Sequence, residues 1–265
     1  MWGKICYIEV MTRLKNFLQI RFQPSVDLLV VFVSFFVMIA GLYVAWRTFT
    51  IVSAWVPVSM FVLGIAIPIA YNSFIKKRPL SEIGISKKFL LISLIIGFIL
   101  SVFIFVAPSP ENPSVTLVVA IKSLTFIELL PLLALEITAG LFWVIFFNGW
   151  VQIRFESAFG AIPAILAAAA FFALHHVGYG ESISPSHMAP LFMAGIINSV
   201  IFRITRNIFI LWPFFIATTG LSADLIQWNL RLPFESIFGY FGVLALMWLF
   251  IITIYWQQKK KEAIE

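Results

Sequence analysis

"AIPAILAAAAFFALHH", residues 161–176, decides how the rest of the chain is read. It is an alanine-rich apolar run with no charged side chain until it closes on two adjacent histidines. Apolar runs of about 20 residues mark helices that cross a bilayer. Ionisable residues at membrane depth are costly, so His175 and His176 are a functional-site hypothesis from the outset. The question they raise is whether they form half of a metal site.

Working outward, the same texture repeats along the chain. Of 265 residues, 62% are hydrophobic and 11% charged, and the mean hydropathy is +1.02. That leaves too few polar residues to cover a soluble surface. The runs show no polar/apolar alternation, which excludes a membrane barrel and leaves helices as the structure that satisfies its backbone in lipid. The fold class is therefore all-α, a polytopic bundle in one membrane-embedded domain, with the cell membrane as the expected location. The net charge of +6 lies in loops and tails, where it sets orientation and does not imply nucleic acid. A single cysteine, Cys6, excludes an internal disulfide framework and a cysteine-based metal cluster. No removable signal peptide is expected.

Three segments follow: a basic arm over 1–26 (with Met11 as an alternative start to Met1), a membrane domain over 27–256, and a basic tail over 257–265. Spans are expected near 27–46, 51–72, 88–107, 160–177, 188–205, 207–223 and 236–256. Charge bias settles the stretch 114–152. The loop bearing Lys76, Lys77, Arg78, Lys87 and Lys88 and the tail Lys259–Lys261 should be cytoplasmic. The loops 108–113 and 178–187 carry no Lys or Arg and should lie outside. One further crossing at 134–152 satisfies this, with 115–131 interfacial or re-entrant. The expectation is about eight spans with both termini cytoplasmic. Arg47, placed outside, is the exception.

The polar residues at depth are Asn148, the two histidines, Asn198, Ser199, Thr218, Thr219 and Ser222. Neighbouring helical residues point about 100° apart, so His175 and His176 are not expected to face one site together. Phe172 shares the face of His176 one turn earlier. The plain alternative to a ligand is an interhelical hydrogen bond, which the small neighbours Ala167–Ala170 would permit. Zinc needs three protein ligands. Glu136, Glu181, His187 and Asp224 are the other candidates, and none stands at i, i+3 or i+4 from a histidine.

The order of features resembles the CAAX protease and bacteriocin-processing (Abi) family of intramembrane metalloproteases. Phe172 and His176 in "FALHH" match its "Phe-x-x-x-His" helix. "LFWVIFFNGWVQ" has the rhythm of its "Glu-Glu-x-x-x-Arg" helix, with Gly149 following the last motif position. "LSEIGISKK" (80–88) and "MAGIINSVIFRITRNIFILWPFFIAT" are similar to the family's flanking segments, and the resemblance spans about 78–223. It implies about eight helices and a metal-activated water acting on prenylated or membrane-bound peptides. The departures matter as much. Trp143 and Val144 stand where the two glutamates belong, Asn148 where the arginine belongs, and Thr218 and Ser222 where the third motif has His and Asn/Asp. A lone His176 cannot hold zinc, and neither Trp nor Val can take a proton from water.

Two functional expectations result. The first is a non-catalytic pseudoprotease, without a cofactor, that binds a membrane partner, peptide or lipid through a cavity lined by Asn148, Phe172, His176, Asn198, Thr218 and Ser222. The second is an active zinc endopeptidase whose ligands have moved, drawing on His176 with His175, Glu136, His187 or Glu181. A transporter would be a third class, but the paired discontinuous helices of such folds have no visible counterpart here.

Overall fold

The computed structural model describes residues 18–49, 55–106, 116–227, 230, 232 and 236–262. The first part of the basic arm, with Cys6 and Met11, and the loop 108–113 lie outside the described residues. The elements in chain order are α1 (Val26–Phe49), α2 (Trp55–Ile75), α3 (Leu90–Val106) and the short α4 (Leu117–Lys122). Then come α5 (Phe126–Phe159), α6 (Ala161–His175, continued by a 3-10 turn over His176–Tyr179) and α7 (Pro185–Thr205). The last two are α8 (Trp212–Phe215 continued in π geometry over Ile216–Gln227) and α9 (Ser236–Glu262). No strand element occurs among the described residues.

Among the described residues seven helices are long and apolar enough to cross a membrane, and the apolar part of α3, Leu90–Phe103, is a shorter one. The all-helical membrane bundle expected from composition is what forms. The stretch 115–131 is different from its expectation. Only α4 stands apart, and residues from Phe126 onward belong to one continuous helix that reaches Phe159. Thr125 explains the start. Its Oγ1 accepts from the Glu128 amide at 3.3 Å, and Glu128 Oε2 accepts from the Thr125 amide at 2.7 Å. This reciprocal cap satisfies two donors that the first helical turn would leave open. At about 1.5 Å per residue, α5 is long enough to pass through the hydrocarbon layer and project beyond it.

α5 is the axis of the bundle: 78% of its most apolar window is buried, against 22% for α7 and 28% for α9. α6 packs across α5 and then lies along α7. There Gly195 lets the backbones approach, since a Cβ at that position would sit 2.7 Å from Ala169 Cα. Close approach over small residues is how membrane helices associate, because lipid supplies no hydrophobic drive between them. Gly160 (φ +92°) turns the chain sharply between α5 and α6. The segment before α1 lies against that turn, with the Arg21 amide on the Phe159 carbonyl at 3.1 Å and the Gln23 amide on the Ala158 carbonyl at 2.9 Å.

The basic loops meet at one end of the bundle. Arg154, 1% exposed within α5, donates to Glu82 at 2.9 Å and to Asn72 at 2.5 Å. Arg78 also binds Glu82, at 2.7 Å. Gln258 of α9 accepts from the Leu80 amide and donates to the Arg78 carbonyl. Glu156 holds Arg203 and Arg206. Lys76 pairs with Asp27 at 2.6 Å, and that hydrogen bond makes the lysine hold its proton more tightly than usual. Arg47 instead lies beside Gly180, near the end of α6. The grouping of 76–88, 154, 203–206 and 258 at one end is the relative arrangement that the charge bias implied.

Candidate functional site

The embedded polar residues fall into two groups, and α5 contributes to both. The π-helical turns of Val144–Gln152 carry the first. Asn148 Nδ2 donates to Gln152 Oε1 at 3.1 Å and reaches Ser199 Oγ at 3.4 Å, and Gln152 Nε2 donates to the Ser199 carbonyl at 2.8 Å. This group ties α5 to α7. Gln152 was not singled out in the sequence because it lies at the edge of an apolar run, where a polar side chain usually finds water.

The second group gathers all three histidines of the chain at the end of the bundle opposite the basic loops. α6 ends at His175 and a 3-10 turn follows, with both residues in right-handed helical backbone. Their side-chain conformations bring the two rings to 4.1 Å from each other, and both are buried. His175 Nδ1 donates to the Phe172 carbonyl, and His176 Nδ1 approaches the same carbonyl at 3.1 Å. His175 Nε2 then accepts from the Trp143 indole N–H at 2.9 Å. Trp143 also packs on Phe215, with ring centroids 5.6 Å apart. Val144, the next residue, is fully buried. Phe172 stands edge-on to His176 at 5.4 Å.

Around the histidines lie groups that sequence spacing could not join. Tyr179 lies close enough to Glu136, Glu181 and Asp224 to interact with them electrostatically. Glu181 pairs with His187. Glu136 pairs with Asp224, which is a buried residue of α8 and does not follow the span as its place in the sequence suggested. Of the other expected cavity residues, Asn198 is 5% exposed with Oδ1 unpartnered among the described residues. Ser222 is half-buried on α8, and the side chain of Thr218 lies outside the described residues. Asn148 bonds within the first group, with Gln152 and Ser199.

Trp143, Val144 and Gly149 on α5 and Phe172 and His176 on α6 thus lie on adjoining helices. Residues 125–220 match the family model described as type II CAAX prenyl endopeptidase, Rce1-like. The matched segment holds α5, α6, α7 and the first part of α8. No curated protein and no solved structure matches the chain.

The Rce1-like match implies a metal, and the donors can be tested against it. Zinc takes nitrogen, sulfur or carboxylate ligands, three of them in a catalytic site. His175 uses both ring nitrogens in hydrogen bonds, to Phe172 and from Trp143. His176 has its Nδ1 at the Phe172 carbonyl. Glu136 is engaged with Asp224, and His187 with Glu181. Among the described residues no three His, Cys, Asp or Glu side chains converge as ligands. The donor set does not fit zinc.

Proposed function

We propose that the protein is a non-catalytic integral membrane protein built on the CAAX-protease scaffold, which binds a membrane-embedded peptide or partner where the family cleaves one. The observation that carries this reading is the Trp143–His175 hydrogen bond of 2.9 Å. At the position of a family glutamate stands an indole N–H, which can only donate. Its acceptor is a ring nitrogen of His175, the neighbour of the motif histidine His176, so that this imidazole is taken up in a hydrogen bond. Val144 offers no polar atom at the second glutamate position. With no carboxylate at either glutamate position and no three converging ligands among the described residues, the arrangement does not favour activation of water by metal and carboxylate.

The polar groups of α6 and α7 that remain, His176 and Asn198, suit hydrogen bonding to a ligand backbone. A peptide that enters a bilayer needs such partners, because its exposed amides find no water there. The test is cleavage of a farnesylated peptide by purified protein in liposomes, followed by mass spectrometry. The expected result is no product above protein-free liposomes. Product formation that a chelator abolishes would overturn the proposal in favour of an enzyme with relocated ligands.

A further inference from the structure

Glu136 and Asp224 take no part in the reading above. They come from α5 and α8, are 3% and 4% exposed, and sit against an apolar cluster of Leu132, Leu135, Leu221 and Leu225. Their carboxyl groups face each other within hydrogen-bonding range. An ionised carboxylate accepts hydrogen bonds and donates none. Glu136 Oε2 and Asp224 Oδ2 have no partner among the described residues. Glu136 is also pinned in place, because Oε2 occupies the space that a Cβ at Gly220 would fill. The titratable groups facing the pair are Tyr179 from the turn after α6, with Glu181 beyond it, and Tyr240 from α9. None of the ion pairs among the described residues reaches either carboxyl.

Two ionised carboxylates in contact in apolar surroundings repel each other with little screening, and the arrangement that removes the conflict is one proton shared between them. We infer that Glu136 and Asp224 hold a single proton between them, so that the pair is a proton-binding site fastening α8 to α5. With the proton, an O–H···O hydrogen bond joins the helices. When the proton leaves to water, two negative charges face each other and drive α8 away from α5. The inference goes beyond the scaffold reading and stands whether or not the protein cleaves peptides.

Infrared spectroscopy of the protein in lipid at neutral pH tests it. A protonated carboxylic acid gives a carbonyl band distinct from that of a carboxylate, and the band shifts in D2O. The wild type should show this band, losing it on alkaline titration, and the double variant Glu136→Gln/Asp224→Asn should lack it. The two amides of that variant can hydrogen-bond each other without charge, so it should fold and unfold thermally as the wild type does at neutral pH. A wild type without the band overturns the inference by itself, because both groups are then ionised. A band that persists unchanged in the folded double variant assigns the proton elsewhere and overturns it equally. Failure of the double variant to fold would also count against a shared hydrogen bond, since the amides supply the same one.

Discussion

The two ends of the bundle treat buried charge in opposite ways. At the basic end each deeply placed ion meets one of opposite sign: Arg154 has Glu82 at 2.9 Å, and Glu156 has Arg203 at 2.9 Å and Arg206 at 2.5 Å. At the histidine end Glu136 meets another acid, and His175 meets an indole. The first arrangement builds a clamp on α5 from the loop after α2, the end of α7 and α9. The second sets two acids against each other, with none of the ion pairs among the described residues reaching them. Opposite charges in contact hold a fold together, whereas like charges brought together at depth are where a proton, ligand or partner can act.

Substitutions at the two ends should differ in cost accordingly. The largest effect is expected at the basic end. Arg154→Leu strands Glu82 with only the more exposed Arg78 and should cost about 3 kcal/mol, the scale for breaking a buried ion pair. Denaturant unfolding in detergent micelles measures it, and a loss no larger than that of an exposed control such as Lys259→Ala would break the contrast. Trp143→Phe comes next. It keeps a ring but removes the N–H, leaving His175 Nε2 buried without a partner, at a cost of about 1–3 kcal/mol. The same unfolding measurement applies, and an unchanged midpoint would show that the indole bond carries no weight. Glu136→Gln should be nearly silent, within about 0.5 kcal/mol, because the amide replaces the acid proton as a donor to Asp224. A thermal unfolding midpoint well below wild type would mean that the glutamate is needed as an anion. The smallest effect is expected from Ser199→Ala, which removes a 3.4 Å contact to Asn148 but keeps the backbone carbonyl that receives Gln152. Interhelical hydrogen bonds of this kind average about 0.6 kcal/mol in membranes.

Much of the fold was legible because lipid imposes so strict a rule on the backbone. Apolar runs with charged loops between them had only one way to be satisfied, and the loop charges grouped the ends correctly. The start of α5 was also written locally, in Thr125 and Glu128 three residues apart. Pro131, in the second turn, removes one helical hydrogen bond without ending the helix.

The site was legible only where it depends on motif spacing. Phe172 and His176 could be read from one helix face, and Trp143 and Val144 from their offset to Asn148. The Glu136–Asp224 pair joins residues on different helices, so no search for ligands at i, i+3 or i+4 could find it. What the sequence did contain was the bare fact of acids beside apolar runs. The meeting of the two histidine rings was hidden for another reason. It follows from the side-chain rotamers of the two residues, which periodicity does not specify.

Metal content reads out whether this protein works without a bound zinc, as proposed. Elemental mass spectrometry on detergent-purified wild type and His176→Ala should find zinc well below stoichiometry in both, with no difference between them. About one zinc per chain in the wild type, lost in His176→Ala, would overturn the non-catalytic reading and show that other ligands complete a zinc site.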